Sequence, residues 1–323
     1  MEADARVRVG AGRCRPTVPP AELPRGYRGH VRARVPASTA NLGPGFDTLG
    51  LALDRYVVVD VEPASKLIVR SMGEGEGLAD DSSHLAARVA IDVAGTDRLA
   101  ISVRSDIPIA RGLGSSAALA VAAAAAAGAA DPLSVATAMD GHPDNAAASM
   151  VGGFVAAAVV KGGVHVVRLP LDVSLAFVVI VPDIQLSTAR ARQALPIEVS
   201  RESAAFNLSR MALLMAGMAD CRLLIPEAAE DRLHQDYRSP LFPAAPKLLA
   251  AMVAGGALAS CWSGAGPSLL GICRGTDAPA VQAAGEQALA EAGLPGQVLL
   301  LHADMDGLLL DRDGSTGLYD DDR

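Results

Sequence analysis

The segment Pro108-Ile109-Ala110-Arg111-Gly112-Leu113-Gly114-Ser115-Ser116-Ala117 sets two glycines and two hydroxyls directly ahead of an Ala-rich run. Glycines let main-chain amides converge without Cβ obstruction, and the first turn of a helix offers unpaired N–H groups at the positive end of its dipole. Such a bend holds phosphate, and seryl oxygens beside it can meet phosphate or a metal ion. The plainer reading is that Ser115 or Ser116 only caps the helix while the glycines make a tight turn. Gly112, Gly114 and Ala117 also satisfy G-x-G-x-x-A, with Asp131 lying 19 residues beyond Gly112, so an NAD-dependent oxidoreductase competes. Against that rival, residues 101–108 alternate apolar with polar and carry charges and a proline, whereas a central parallel strand is a continuous apolar run. Asp131 precedes Pro132 and so begins a helix rather than ending a strand. No GxxxxGK[ST] occurs, which excludes a P-loop nucleotidase.

Two further clusters of glycine and small hydroxyls stand far apart in the chain: 36–50, with Asn41, Phe46 and Asp47, and Ser263-Gly-Ala-Gly-Pro-Ser268. Three such clusters imply an anion wrapped from several sides. That anion is held locally, because Lys plus Arg number 28 against 36 acids, a net charge of −8 that argues against a surface for nucleic acid or anionic lipid. With only 3% aromatic residues there is no base-stacking platform either. The four cysteines, Cys14, Cys221, Cys261 and Cys273, form no CxxC pair and the histidines show no HExxH spacing, so free thiols in a reducing cytoplasm are expected rather than a zinc site. The longest apolar run, 117–130, is 14 residues, short of the roughly 20 that span a bilayer, so no membrane partner is expected.

The elements that must position these clusters are a mixture. Alternation at Val31, Ala33 and Val35 predicts a strand that Pro36 ends; further strands are expected at 51–61, 66–71 and 101–103, and helices at 84–94 and 115–130. The second of these helices is apolar all round, which suits burial between layers. A hairpin at 154–160 and 164–169 leads to Pro170, where a second domain begins. There, strands at 175–181, 258–262, 269–273 and 297–302 interleave with helices at 203–219, 245–254 and 276–292, as in a split βαβ sandwich. The expected organisation is a flexible N-terminal extension at 1–30 that does not read as a secretory signal, domains at 31–169 and 170–305, and an acidic tail at 306–323.

Together these motifs resemble the GHMP kinase superfamily, whose members carry an N-terminal motif, a central P-x-x-x-GLGSSAA loop and a C-terminal SGAGPS-like loop in this order. Within it, residues 36–53, Gly141–Asn145, Leu186–Arg192 and Asp231–Arg238 look like those of the homoserine kinases, over residues 31 to about 305. The resemblance implies an α+β, two-domain GHMP kinase fold, with an N-terminal half like the second domain of ribosomal protein S5 and a ferredoxin-like C-terminal half. ATP and substrate would lie in the cleft between them. It implies transfer of the ATP γ-phosphoryl group to the side-chain hydroxyl of L-homoserine, in the threonine pathway. Another small hydroxy amino acid is the alternative substrate, a nucleotide-binding regulator without turnover a further alternative, and a homodimer is kept open.

Phosphoryl transfer asks the protein chiefly to position reactants and neutralise charge. ATP-binding therefore falls to Pro108, Arg111, Gly112, Leu113, Gly114, Ser115, Ser116 and Ala117. By resemblance Mg²⁺ takes Ser116 and a carboxylate, and Asp140 stands where the family commonly has Glu, an arm shorter by about one C–C bond. Arg192 and Arg238 suit the substrate carboxylate, Asp47 its ammonium, and Asn41 and Asn145 orient its hydroxyl for in-line attack, each at its family motif position. Plainer roles are a helix N-cap for Asn145, a surface charge for Arg238 and an Asx-turn for Asp47. Thr188 is secondary, His142 reads as a turn-packing residue, His84 sits where relatives place an Asn near adenine, and no catalytic base stands out.

Overall fold

The computed structural model describes residues 29–312; the rest of the expected extension and the chain beyond Arg312 lie outside the described residues. Its spine is the antiparallel pair β1 (Val31–Asn41) and β2 (Gly45–Pro63). Pro36 does not end β1 as its sequence suggests. The register with β2 shifts between Pro36 and Ala37, and at such a bulge a residue without an N–H is tolerated. The strand therefore continues and carries Ser38, Thr39 and Asn41 into the interior, where all three are buried.

β3 (Ile68–Gly73) runs parallel to β4 (Leu99–Ser105), and β4 pairs antiparallel with the later part of β2. The hairpin of β5 (Phe154–Val160) and β6 (Gly163–Arg168) attaches through β5 to the start of β2, at Leu49–Leu51. Since β3–β4 is the one parallel pair among the described residues, the parallel sheet that a dinucleotide fold requires is not built. Over this sheet lie α1 (Leu85–Ala94), α2 (Ser115–Ala126), α3 (Pro132–Asp140) and α4 (Asp144–Val151). The Ala-rich helix α2 packs on β1 and β2 and on all three neighbouring helices, so Ala117 through Ala126 meet almost no solvent except at Leu119. Methyl side chains permit that close approach on every side. Gly128, in the left-handed region at φ 91°, follows soon after its end, four residues before helix α3 begins at Pro132.

The second sheet is antiparallel throughout, in the order β10 (Gly296–Leu301), β7 (Leu175–Pro182), β9 (Leu269–Arg274), β8 (Ala259–Trp262). Around it are α5 (Thr188–Gln193), α6 (Arg201–Ala219), the short α7 (Gln235–Arg238), α8 (Ala245–Ala254) and α9 (Ala278–Glu291). β7 reads as a continuous apolar run because both faces are covered. Phe177, Val179 and Val181 join the core shared with β1, β2 and α2, while Ala176, Val178 and Ile180 face the cluster beneath α8 and α9. The two halves thus share one core, with a cleft at its edge.

Residues 306–323, expected as an acidic tail, begin instead with ordered structure. β11 (Leu309–Arg312) pairs antiparallel with β1, Val31 opposite Arg312, and adds an edge strand to the first sheet. The Leu308-Leu309-Leu310 triplet supplies the apolar contact that the surrounding acids mask in composition, and Leu308 and Leu310 pack on the main core.

Candidate functional site

Three chain segments interlock at the cleft. Ser38 N–H donates to Leu113 O at 3.2 Å, Gly264 N–H to Ala40 O at 3.0 Å, and Ser263 Oγ to Gly112 O at 2.7 Å. Gly112 takes φ 79°, and a Cβ there would lie 2.2 Å from Ser263 O, so the bend closes only with glycine. At Gly114, φ 65°, a Cβ would sit 2.1 Å from Ser38 Oγ. Gly114 is also the N-cap of α2 and offers no side-chain cap, which leaves the first-turn N–H groups of a twelve-residue helix facing the cleft. Neither Ser115 nor Ser116 caps that helix; both line a cavity of about 280 Å³.

The same cavity is lined by Asn41, Asp140, Asp144, Asn145, Arg192 and Arg238. Asp47, at φ 54°, meets Arg192 end-on, with Nη2–Oδ1 2.6 Å and Nη1–Oδ2 3.2 Å. His142 Nε2 lies 3.8 Å from Asp47 Oδ2. Asp47 therefore makes an ion pair rather than an Asx-turn. The Nε atoms of Arg192 and Arg238 are buried without a hydrogen-bond partner, a costly state for a cation unless a ligand oxygen satisfies it. Arg238 is no surface charge: it is 1% exposed. Burial, with Arg192 adding repulsion, lowers its pKa to about 10, which leaves it charged near neutrality.

What fixes Arg238 comes from the preceding turns. Asp231 accepts N–H bonds from Leu233, His234 and Gln235 and a fourth from Asn207 Nδ2. That carboxylate locks the entry to α7, and His234 and Arg238 lie one helical turn apart beyond it.

Asn145 is the second residue of α4 rather than its N-cap, which is Pro143. Its Oδ1 accepts from Ser38 Oγ at 3.1 Å and its Nδ2 donates one hydrogen to Asp144 Oδ1 at 3.4 Å, so the second Nδ2 hydrogen is the one left to meet a ligand. Asn41, on the same wall, is also tied into the scaffold. Its Nδ2 donates to Gly264 O at 2.8 Å and its Oδ1 accepts from the Asp47 N–H at 3.0 Å, which makes it a brace between two loops at the cavity wall. Asp144, unassigned from sequence, is 4% exposed. Burial, with Asp47 and Asp140 nearby, raises its pKa to about 6 against the pull of the Asn145 N–H and Arg192. Desolvation likewise raises Asp140 at the C-terminal end of α3, opposed by His142 and Arg192. A charge pattern so compact is invisible in sequence, where Asp140 and Asp144 are merely two acids four residues apart.

Three expected ATP contacts lie elsewhere. Arg111 turns away, Nε donating to Pro182 O at 3.1 Å and Nη2 to Asp183 Oδ1 at 3.3 Å. Leu113 is buried in the core, and Pro108 lines a separate hollow with Arg55 and Glu74. They shape the bend through the backbone; the cavity is lined by Ile109, Ala110, Gly112, Gly114, Ser115, Ser116 and Ala117 of that segment. Thr188 is also on the cavity wall. His84 instead caps α1, its Nδ1 accepting from Ala86 N–H, and lies outside this cavity.

Residues 83–153 match the GHMP kinases N terminal domain, and residues 204–291 the GHMP kinases C terminal domain. The chain is 41% identical over 278 residues to a homoserine kinase of Moorella thermoacetica, covering 81% of this chain and 93% of that one. It is 38% identical over 303 residues to a homoserine kinase of Leifsonia xyli, covering 87% and 92%. The fold superposes with a TM-score of 0.78 on a crystal structure of homoserine kinase from Cytophaga hutchinsonii, 24% identical, covering 90% of this chain and 100% of that one.

Proposed function

The chain belongs to the homoserine kinases within the GHMP kinases, and from that premise we propose that the cavity between its three loops is where ATP phosphorylates L-homoserine. The observation that carries the reading is the uncapped N-terminus of α2 at a glycine-only bend, opposite two arginines whose buried Nε atoms lack partners. The first feature suits a triphosphate tail and the second a carboxylate.

The backbone of Gly112–Ser116 holds the β- and γ-phosphates, and helix-dipole charge offsets what develops on the transferred group. Arg238 takes the amino-acid carboxylate with its Nε–Nη2 edge, and Arg192 supports it. Asp47 receives the ammonium group once the substrate competes for its pair with Arg192. Asn145 donates to the hydroxyl oxygen and sets its line of attack on the γ-phosphorus. The new bond joins that oxygen to phosphorus, the bond to the β-phosphate oxygen breaks, and ADP and the hydroxyl proton leave.

Ser116 and Asp140, both on the cavity wall, are hard oxygen donors of the kind that fit Mg²⁺, which when bound would neutralise charge on the phosphates. A cytoplasmic setting accords with this chemistry, and among the described residues no helix is long and apolar enough to cross a membrane. The test is ADP release from ATP and Mg²⁺ with homoserine, serine and threonine offered separately. Homoserine is expected to be turned over fastest; turnover of serine or threonine but not homoserine would reassign the pocket.

A further inference from the structure

His234 is buried to 0% exposure, four residues before Arg238, and has no part in the substrate reading. Its two ring nitrogens are both committed. Nε2 meets Gly43 O at 2.7 Å, so that nitrogen carries the hydrogen and donates. Nδ1 lies 3.0 Å from Arg238 Nη1, and because a guanidinium only donates, Nδ1 is the bare acceptor. Burial, with the positive charge of Arg238 adding to it, holds the imidazole well below its ordinary pKa and so keeps it neutral, against the pull of Asp231. The ring stacks on Phe46 at 5.3 Å, and the same Phe46 ring lies 5.4 Å from the Arg192 guanidinium and 5.7 Å from that of Arg238.

Arg238 Nη1 has a second acceptor in Gly264 O, at 3.0 Å. Both Nη1 hydrogens are thereby used by protein. The opposite edge, Nε with Nη2, is the side-on fork that binds a carboxylate with two parallel bonds, and Nε is the buried atom without a partner.

We propose that His234 is a positioning residue for substrate capture: by occupying Nη1 of Arg238 while anchored to Gly43, it turns the Nε–Nη2 fork toward the substrate carboxylate. The inference rests on the reading that Arg238 takes that carboxylate. It ties the Gly43–Phe46 loop of the first half to the guanidinium of the second, so the fork is set before substrate arrives.

Steady-state kinetics of the full chain with His234→Phe, Arg238→Ala and the double variant separate the possibilities. Phenylalanine keeps a ring against Phe46 but can neither accept from Arg238 nor donate to Gly43. His234→Phe is expected to raise the homoserine KM on the order of tenfold while the ATP KM stays within about twofold, and the double variant is expected to be no worse than Arg238→Ala alone. An unchanged homoserine KM in His234→Phe, an equal loss for ATP, or two single effects that multiply in the double variant overturns the proposal. If Arg238→Ala itself leaves the homoserine KM unchanged, the carboxylate assignment fails and the inference falls with it. If Arg238→Ala raises it and His234→Phe does not, only the inference falls. Should the phenylalanine variant not fold, imidazole ¹⁵N shifts of the unaltered protein at pH 7 decide: an Nε2–H tautomer with bare Nδ1 is expected, and an Nδ1–H or doubly protonated ring overturns it.

Discussion

The two ends of the cleft are built in opposite ways. At the end proposed for phosphate the groups on offer are main-chain amides of one contiguous stretch, and what shapes them is the absence of side chains at Gly112 and Gly114. At the end proposed for the amino acid the groups are side chains drawn from residues 41–47, 144–145, 192 and 231–238, each held by bonds spanning up to 223 residues of sequence. The first end is rigid because atoms cannot fit anywhere else. The second is rigid because every hydrogen-bonding group but a few has been given a protein partner, and those few are the ones a ligand would meet.

The contrast can be broken most severely at the backbone end. Gly112→Ala places a Cβ against Ser263 O in a left-handed conformation, so we expect stability to fall by about 4 kcal/mol and ATP turnover to be lost with every substrate. Thermal denaturation alongside ADP release checks this; a stable, active variant would show that the bend is not sterically closed. Arg238→Ala, at the side-chain end, should leave the ATP KM near its original value and raise the homoserine KM roughly 100-fold, about 3 kcal/mol. Equal losses for both substrates would blur the two ends into one.

Asp144 sharpens the comparison through pH. Its folded pKa of about 6 exceeds the 3.8 of an ordinary aspartate, so the native state binds more protons than the unfolded chain between those values and this contribution to stability is present at low pH and lost as pH rises through about 6. Asp144→Asn removes that dependence. Relative to the unaltered protein, the variant should gain roughly 2 kcal/mol between pH 4 and pH 8 in urea denaturation with EDTA present. A constant difference across that range would mean the carboxyl is solvated. The smallest change is expected from Asp140→Glu, which lengthens the arm by one methylene and should lower the Mg²⁺ concentration for half-maximal activity about threefold, or by roughly 0.7 kcal/mol. No change in that titration would remove residue 140 from the metal's surroundings.

Much of the scaffold is legible in sequence because its signals are local. The hairpin at 154–168, the helix at 245–254 and the apolar strand beginning at Leu175 fall where period and turn residues put them. Pro36 misleads, since a bulge absorbs the missing N–H, and so do the acids around Leu308–Leu310, whose partner strand begins at Val31. Short helices such as α5 and α7 carry too few residues for periodicity; α7 starts after His234, and the Asp231 carboxylate, accepting the His234 and Gln235 N–H groups, holds the turn that leads into it.

For the site, residue types and spacing by themselves determined the glycine bend and its hydroxyls, while the set of charged residues came from their resemblance to family motif positions. Chain folding decided which of them converge: that Arg111 and Pro108 face elsewhere, that Asn41 is a brace, that Asp144 is buried among acids and that His234 stands behind Arg238. The reason is physical. A glycine bend is governed by its own dihedral angles, whereas the worth of a charge depends on burial and on neighbours hundreds of residues away, which no local pattern encodes.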